Sequence, residues 1–118
     1  MTVQRSSVAY LQDILDACNK AEQFVAGLTF EEFVKDDKSV YAVIRALEII
    51  GEAAKKVSPA VREAHPHVPW REMAGIRDKL VHDYFGLNLA VVWKTVMEDV
   101  PFLKSVIAPV LESSTPRK

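Results

Sequence analysis

The stretch SVYAVIRALEIIGEAAKKV, residues Ser39–Val57, decides the fold class. Its apolar side chains recur at intervals of three and four residues, the period of an α-helix with one buried face. The positions that share this face are Val43, Leu47, Ile50, Ala54 and Val57. A helix with such a stripe is stable only when other elements cover it, so the stretch predicts a bundle of packed helices.

The residues before and after this helix carry the signals of further helices. Ser7–Val25 has apolar residues at helical spacing, and Gly27 suits its end. A capping box at Thr29–Glu32 predicts a short helix through Val34. A serine followed by proline at the first helical position predicts another short helix over Ser58–Ala64.

The C-terminal half reads as two more helices. The first is predicted from Trp70 to about His82, and the second from Asn88 towards Leu111. Pro101 lies inside the second pattern and should kink that helix or divide it into two. No window alternates with a period of two, so we predict an all-α, up-and-down antiparallel helix bundle without a sheet. We expect a single domain over residues 1–112 and a flexible C-terminal tail over residues 113–118.

Composition limits the classes of function. The chain has 118 residues and a formal net charge of −1, which argues against a broad basic surface for nucleic acid, although a local site could still bind RNA. Cys18 is the sole cysteine, lies in an apolar stripe and fits a small core residue in a reducing compartment. No apolar signal region opens the chain, and no stretch approaches the roughly 20 apolar residues of a membrane span. We therefore expect a cytoplasmic protein that makes no membrane contact.

The segment RDKLVHDY, Arg77–Tyr84, carries the chemistry of a candidate site. The Arg77 guanidinium can bind phosphate, His82 can transfer a proton near neutral pH, and Asp78, four residues earlier, can orient the imidazole. Tyr84 adds a hydroxyl that can be modified. From spacing alone, a cation-rich helix end with Tyr84 as a core anchor is the better-supported alternative.

Arg77 and His82 are five residues apart, or about 140° around an ideal helix. They reach one phosphate only through the length of arginine, a distorted helix end or a second copy of the chain. This geometry favours a composite site in a homodimer.

A second polar stripe lies on the central helix at Arg45, Glu48 and Glu52. Its spacing of three and four residues is typical of a solvated helix face with weak ion pairs. These residues are secondary site candidates, since the core face of this helix is apolar without them.

The segment Arg77–Tyr84 resembles the R-x4-H-x-Y motif of HepT-like proteins, a branch of the HEPN superfamily. The likeness extends to RALEIIGEAA at Arg45–Ala54, which resembles the family's helix ending in Gly-Glu-Ala-Ala, and to VPWREMAG at Val68–Gly75, which resembles the entry to its motif helix. Residues Tyr84–Asn88 and the pair Val92-Trp93 resemble the part of the family sequence that lies beyond the motif helix. The likeness covers nearly the whole chain, in order and at family length.

The resemblance implies a bundle that dimerises around its motif helices and works as the toxin of a type VII-like toxin–antitoxin pair. It implies a ribonuclease, an RNA endonuclease that needs neither metal nor cofactor, with Arg77 and His82 as catalytic residues and Asp78 and Tyr84 supporting them. The implied partner is an MNT-type nucleotidyltransferase antitoxin, which neutralises the toxin by transferring AMP to Tyr84.

This sequence departs from the family pattern at Asp78, where many relatives have asparagine. The carboxylate would place negative charge near the scissile phosphate and raise the pKa of His82. The alternative function is a non-catalytic dimerisation and docking module that binds the nucleotidyltransferase or a nucleotide.

Overall fold

The computed structural model describes residues 5–80, 86 and 88–114, and within these ranges it contains helices and no strand. This confirms the predicted all-α class. The helices are α1 (Ser7–Val25), α2 (Phe30–Lys35), α3 (Asp37–Lys56), α4 (Pro59–Ala64), α5 (Trp70–Ala74), α6 (Ile76–Leu80), α7 (Leu89–Lys94) and α8 (Val100–Ser114). A π-helical segment, Thr95–Asp99, joins α7 to α8.

Local capping chemistry sets the ends of the first two helices. The Ser6 hydroxyl accepts a hydrogen bond from the Ala9 N–H at 3.2 Å, and α1 ends just before Gly27, whose φ of 79° is in the left-handed region. The capping box of α2 is present, with Thr29 Oγ1 accepting from the Glu32 N–H and Glu32 Oε1 accepting from the Thr29 N–H. The predicted starts of both helices are confirmed.

The central helix α3 packs against α1, α2, α5 and α6, and α1 packs in turn against α8. The buried stripe predicted for α3 is confirmed. The Asp36 carboxylate caps α3, and its pKa is lowered because it accepts hydrogen bonds from the hydroxyl and the N–H of Ser39. The core formed by these helices supports α5 and α6, and α6 contains the first residues of the Arg77–Tyr84 motif.

The predicted helix over residues 70–82 is divided in the structure. Helix α5 ends at Ala74, Gly75 follows with its N–H bonded to the Arg71 carbonyl at 3.1 Å, and α6 begins at Ile76. Glycine has a low helix propensity, which explains why the helix is interrupted there. The structure describes α6 as far as Leu80, and residues 81–85 lie outside the described residues.

The predicted interruption of the last helix takes the form of the π-helical segment. The Val100 N–H bonds to the Thr95 carbonyl, five residues earlier, and Pro101 lies in the first turn of α8. The helix continues from this segment into α8, and Pro101, which has no N–H, removes one backbone hydrogen bond directly after it. A second proline inside α8, Pro109, was not singled out from the sequence.

Contacts between residues that are distant in sequence join the two halves of the chain. Lys104 Nζ on α8 lies 2.7 Å from Glu22 Oε1 on α1, and the Trp93 ring packs against Phe30 and Phe33 at centroid distances of 5.9 and 5.3 Å. Among the described residues, no helix is long and apolar enough to cross a membrane.

Candidate active site

The part of the motif that the structure describes lies on α6. Ile76 and Leu80, four residues apart, are buried, and the three residues between them, Arg77, Asp78 and Lys79, are exposed. The apolar pair fixes which face of this short helix meets the core. The charged part of the motif is therefore presented to solvent, where a large polyanion can reach it.

His82 and Tyr84 lie outside the described residues, so the predicted alignment of Asp78 with His82 stays a prediction. The structure describes the backbone on either side of them. The Asn88 N–H donates to the Leu80 carbonyl at 3.0 Å, and the Asn88 side chain caps α7 by accepting from the Val91 N–H. These bonds join the end of α6 to the start of α7.

An ion pair connects the motif to the central helix. Arg77 Nε lies 3.5 Å from Glu48 Oε2 on α3. The Arg77 side chain is 75% exposed and the Glu48 side chain 24% exposed, so the carboxylate is the more enclosed partner. Sequence reasoning named both residues but placed them in separate groups, because a contact between two helices leaves no trace in the spacing along either one.

The second polar stripe extends this ion pair along α3. Arg45 Nη1 lies 3.3 Å from Glu52 Oε1 and 3.9 Å from Glu48 Oε1. Arg45 and Glu52 are mostly exposed, as expected of a solvated face. Glu48 differs from them because it contacts a motif residue as well as a member of its own stripe.

A glycine explains how α3 and α6 come so close. A Cβ atom placed on Gly51 would lie 2.9 Å from Ile76 Cγ2 and 3.1 Å from the Met73 carbonyl oxygen. Both distances are shorter than ordinary van der Waals contacts, so glycine permits this approach of the α5–α6 junction. Glu48 lies one helical turn before Gly51 and Arg77 directly follows Ile76, so this contact brings the ion pair together.

A second ion pair, on another side of α6, adds to this support. Lys79 Nζ lies 2.7 Å from Asp99 Oδ2 in the π-helical segment. At the start of α5, the Trp70 indole Nε1–H donates to the His65 carbonyl at 3.0 Å. Helix α6, which carries the described part of the motif, and the preceding helix α5 are thus both connected to neighbouring elements.

Cys18 is a poor candidate for a nucleophile. It is fully buried in the core, and this burial raises the pKa of its thiol to about 12. The thiolate fraction at neutral pH is therefore negligible, and the interpretation of Cys18 as a core residue agrees with the structure.

The arrangement suits the binding of a phosphate group. An exposed guanidinium presents planar N–H donors, and a carboxylate from a different helix engages one nitrogen of that guanidinium. A nuclease site requires a group suited to contact phosphate, and the exposed Arg77 guanidinium is such a group.

Comparison with known proteins agrees with the family resemblance seen in the sequence. The family model described as "Ribonuclease HepT-like" matches residues 14–110. A protein of Thermococcus cleftensis named "Probable ribonuclease HepT" is 52% identical over 102 residues, which cover 86% of this chain and 93% of the relative.

Two further relatives carry provisional RNase names. One, from Caldanaerobacter subterraneus, is 45% identical over 103 residues, which cover 87% of this chain and 92% of the relative. The other, from Methanocaldococcus jannaschii, is 44% identical over 104 residues, which cover 88% and 95%. No solved structure matches the chain significantly. The family match spans most of the chain and includes the whole motif, so this protein belongs to the HepT-like ribonuclease family.

Proposed function

We propose that this protein is the toxin of a type VII-like toxin–antitoxin pair and that it is a metal-independent RNA endonuclease. The observation that carries the proposal is the exposed Arg77, held beside α3, within a chain whose family is that of HepT-like ribonucleases. The remaining motif residues, His82 and Tyr84, are present in the sequence at the family spacing.

The proposed reaction uses RNA as its own nucleophile. His82 removes the proton of a ribose 2′-OH, and the 2′-oxygen attacks the adjacent phosphorus. The bond from phosphorus to the 5′-oxygen breaks, and an imidazolium returns a proton to that oxygen. The products are a 2′,3′-cyclic phosphate and a 5′-OH end. Arg77 stabilises the charge that develops on the phosphate oxygens, and Asp78 orients His82.

A homodimer would supply two imidazoles to this reaction, one as the base and one as the acid. The basis is the spacing of Arg77 and His82, which an ideal helix holds about 140° apart. Light scattering at micromolar concentration is expected to give twice the mass of one chain. A strict monomer that cleaves RNA would show that a single chain holds the complete site.

The test of the ribonuclease is a cleavage assay on the pure protein. The parent should cut RNA and leave 5′-OH ends that polynucleotide kinase labels directly, and EDTA should make no difference. His82→Ala should abolish cleavage while circular dichroism shows unchanged helix content, because the proposed proton transfers use the imidazole. Cleavage by His82→Ala at the parent rate, or inhibition by EDTA that added metal reverses, would contradict the mechanism.

We further propose that an MNT-type nucleotidyltransferase neutralises this toxin. The Tyr84 oxygen attacks the α-phosphorus of ATP, pyrophosphate leaves, and the new phosphodiester places a bulky anion beside Arg77. Co-expression with such an enzyme should add AMP to Tyr84 and stop cleavage. Mass spectrometry that locates AMP elsewhere, or full neutralisation of an active Tyr84→Phe variant, would favour inhibition by docking alone.

The charge of the protein and the carboxylates around Arg77 favour the alternative of a non-catalytic docking module. The protein has a net charge of −1, Glu48 places a carboxylate 3.5 Å from Arg77, and Asp78 is the next residue in the chain. Such a module would accept AMP or bind the partner without cutting RNA. Absence of cleavage by the pure, unmodified dimer, together with tight binding of the nucleotidyltransferase, would support this alternative.

A further inference from the structure

Among the residues that the structure describes, Glu48 pairs with the Nε edge of Arg77, and no hydrogen bond or ion pair engages the far edge of the guanidinium. The contact is made by Nε, the nitrogen nearest the aliphatic part of the side chain. The edge formed by Nη1 and Nη2 is a separate edge of the same plane, and an arginine can bind phosphate there with two parallel hydrogen bonds. A carboxylate at Nε can therefore orient the plane while a phosphate occupies the end.

The two partners differ in their freedom to move. Glu48 is mostly enclosed, and its neighbours on α3, Leu47 and Ile50, are fully buried. Arg77 is on a five-residue helix and is mostly exposed. Glu48 is thus the less mobile partner. Its contact with Arg77 can set the orientation of the long arginine side chain.

A second cation on α3, Arg45, also lies near the Glu48 carboxylate. The Arg45 guanidinium contacts both Glu48 and Glu52. In space, the four side chains therefore alternate in charge, in the order Glu52, Arg45, Glu48 and Arg77. This alternation offsets the repulsion between the two carboxylates. Glu48 therefore has a balancing cation besides Arg77, and it remains compensated when Arg77 binds a phosphate.

Stability alone gives a weak reason for the pair. An ion pair with one partner this exposed contributes little to folding, because water screens the attraction. A carboxylate close to a phosphate site also opposes the binding of RNA. Orientation has a larger effect, because misplacing a catalytic group by about 1 Å can reduce a rate roughly 100-fold.

We propose that Glu48 is a positioning residue that holds Arg77 in the orientation needed to contact the scissile phosphate. The proposal rests on the proposed ribonuclease function. It predicts opposite effects on binding and on turnover. Without the Glu48 charge, RNA binds equally well or more tightly, since a repulsive group is gone, and the chemical step slows because Arg77 loses its fixed partner.

The test measures kcat and KM for a short RNA with Glu48→Gln, Glu48→Asp and the control Glu63→Gln, which removes an equal charge from the exposed surface of α4. Glu48→Gln should lower kcat roughly 10- to 100-fold with KM unchanged or reduced. Glu48→Asp keeps the charge on a shorter side chain and should restore part of kcat. A rise in both kcat and binding with Glu48→Gln would show that Glu48 is only a repulsive charge, and an unchanged kcat would equally overturn the proposal.

Two further measurements separate this proposal from the ribonuclease itself. The ¹H and ¹⁵N chemical shifts of the Arg77 Nε–H group, assigned with Arg77→Lys, should agree between the parent and Glu63→Gln and should differ in Glu48→Gln, because only that variant removes the charge 3.5 Å from Nε. Equal chemical shifts in all three proteins would overturn the positioning role whether or not RNA is cut. Loss of cleavage in Arg77→Ala but none in Glu48→Gln would leave the ribonuclease standing and remove Glu48 from it.

Discussion

Replacing Gly51 with alanine tests the contact on which the candidate site depends. The added methyl group would lie 2.9 Å from Ile76 Cγ2 and 3.1 Å from the Met73 carbonyl oxygen. The Ile76 side chain is buried and cannot swing into solvent, and the second neighbour is backbone, so the strain can be relieved only by moving α5 and α6 away from α3.

Two opposing terms set the size of the effect. Overpacking of this kind costs about 1–3 kcal/mol. Alanine in place of glycine inside a helix recovers about 1 kcal/mol. We therefore expect Gly51→Ala to reduce the free energy of unfolding by about 1 kcal/mol, which for a domain of this size lowers Tm by roughly 4 °C.

Activity should fall further than this loss of stability explains. At 25 °C a folded variant with α6 displaced would hold Arg77 farther from Glu48, so RNA cleavage should drop several-fold while the folded fraction stays near one. Thermal unfolding by circular dichroism and a cleavage assay at 25 °C measure the two effects separately.

Gly75→Ala is the matched control. A Cβ on Gly75 would meet the Arg71 carbonyl oxygen at 3.5 Å, an ordinary contact, and its φ of −92° is open to alanine. This variant should raise the free energy of unfolding by up to about 1 kcal/mol, because alanine favours helical backbone and meets no clash there, and it should keep its activity. If Gly51→Ala instead raised Tm and cut RNA at the parent rate, the reasoning about the close approach of α3 and α6 would be refuted.

Two further predictions concern Asp78 and Cys18. Asp78→Asn should retain or increase RNA cleavage, because it removes an exposed negative charge from the motif helix; a loss greater than tenfold in kcat would show that the carboxylate is needed, for instance to keep His82 charged. The Cys18 thiol should resist iodoacetamide in the folded protein at pH 8 and react in denaturant, as followed by mass spectrometry, because burial raises its pKa to about 12. The same pKa shift means that the unfolded state loses this proton first as the pH rises. Its contribution to stability is therefore complete below about pH 8.5 and is lost as the pH rises towards 12, and a Cys18→Ala variant should lack this part of the alkaline loss of stability. Rapid labelling of the folded protein at pH 8 would contradict the burial of the thiol.

The local parts of the fold could be predicted from the sequence because local chemistry determines them. Capping hydroxyls at Thr29 and Ser58 bond to backbone N–H groups three residues ahead, and these bonds lie where the sequence predicted them. The stripe of α3 was equally readable, since burial follows the helical period. The division at Gly75 was missed because one glycine inside a periodic pattern does not by itself end a helix.

The candidate site was predictable only in part. Arg77 and Asp78 stood out as motif residues, whereas the contact between Arg77 and Glu48 depends on how closely two helices approach. That distance is set by the missing side chain of Gly51 and the shape of Ile76, which periodicity does not encode. The one signal in the sequence was Gly51 itself, a glycine in the middle of an otherwise strong helix.

The π-helical segment has a consequence for how the chain tolerates changes in length. A π-helical turn corresponds to one residue added to an α-helix. Deleting one residue from an ordinary helix such as α3 rotates everything beyond it by about 100° and exposes the buried face. Deleting the exposed Met97 or Glu98 would instead let Thr95–Asp99 revert to α-helical bonding and leave the buried side of α8 towards α1. This segment is therefore a place where the gene can lose a codon and the protein can keep its core.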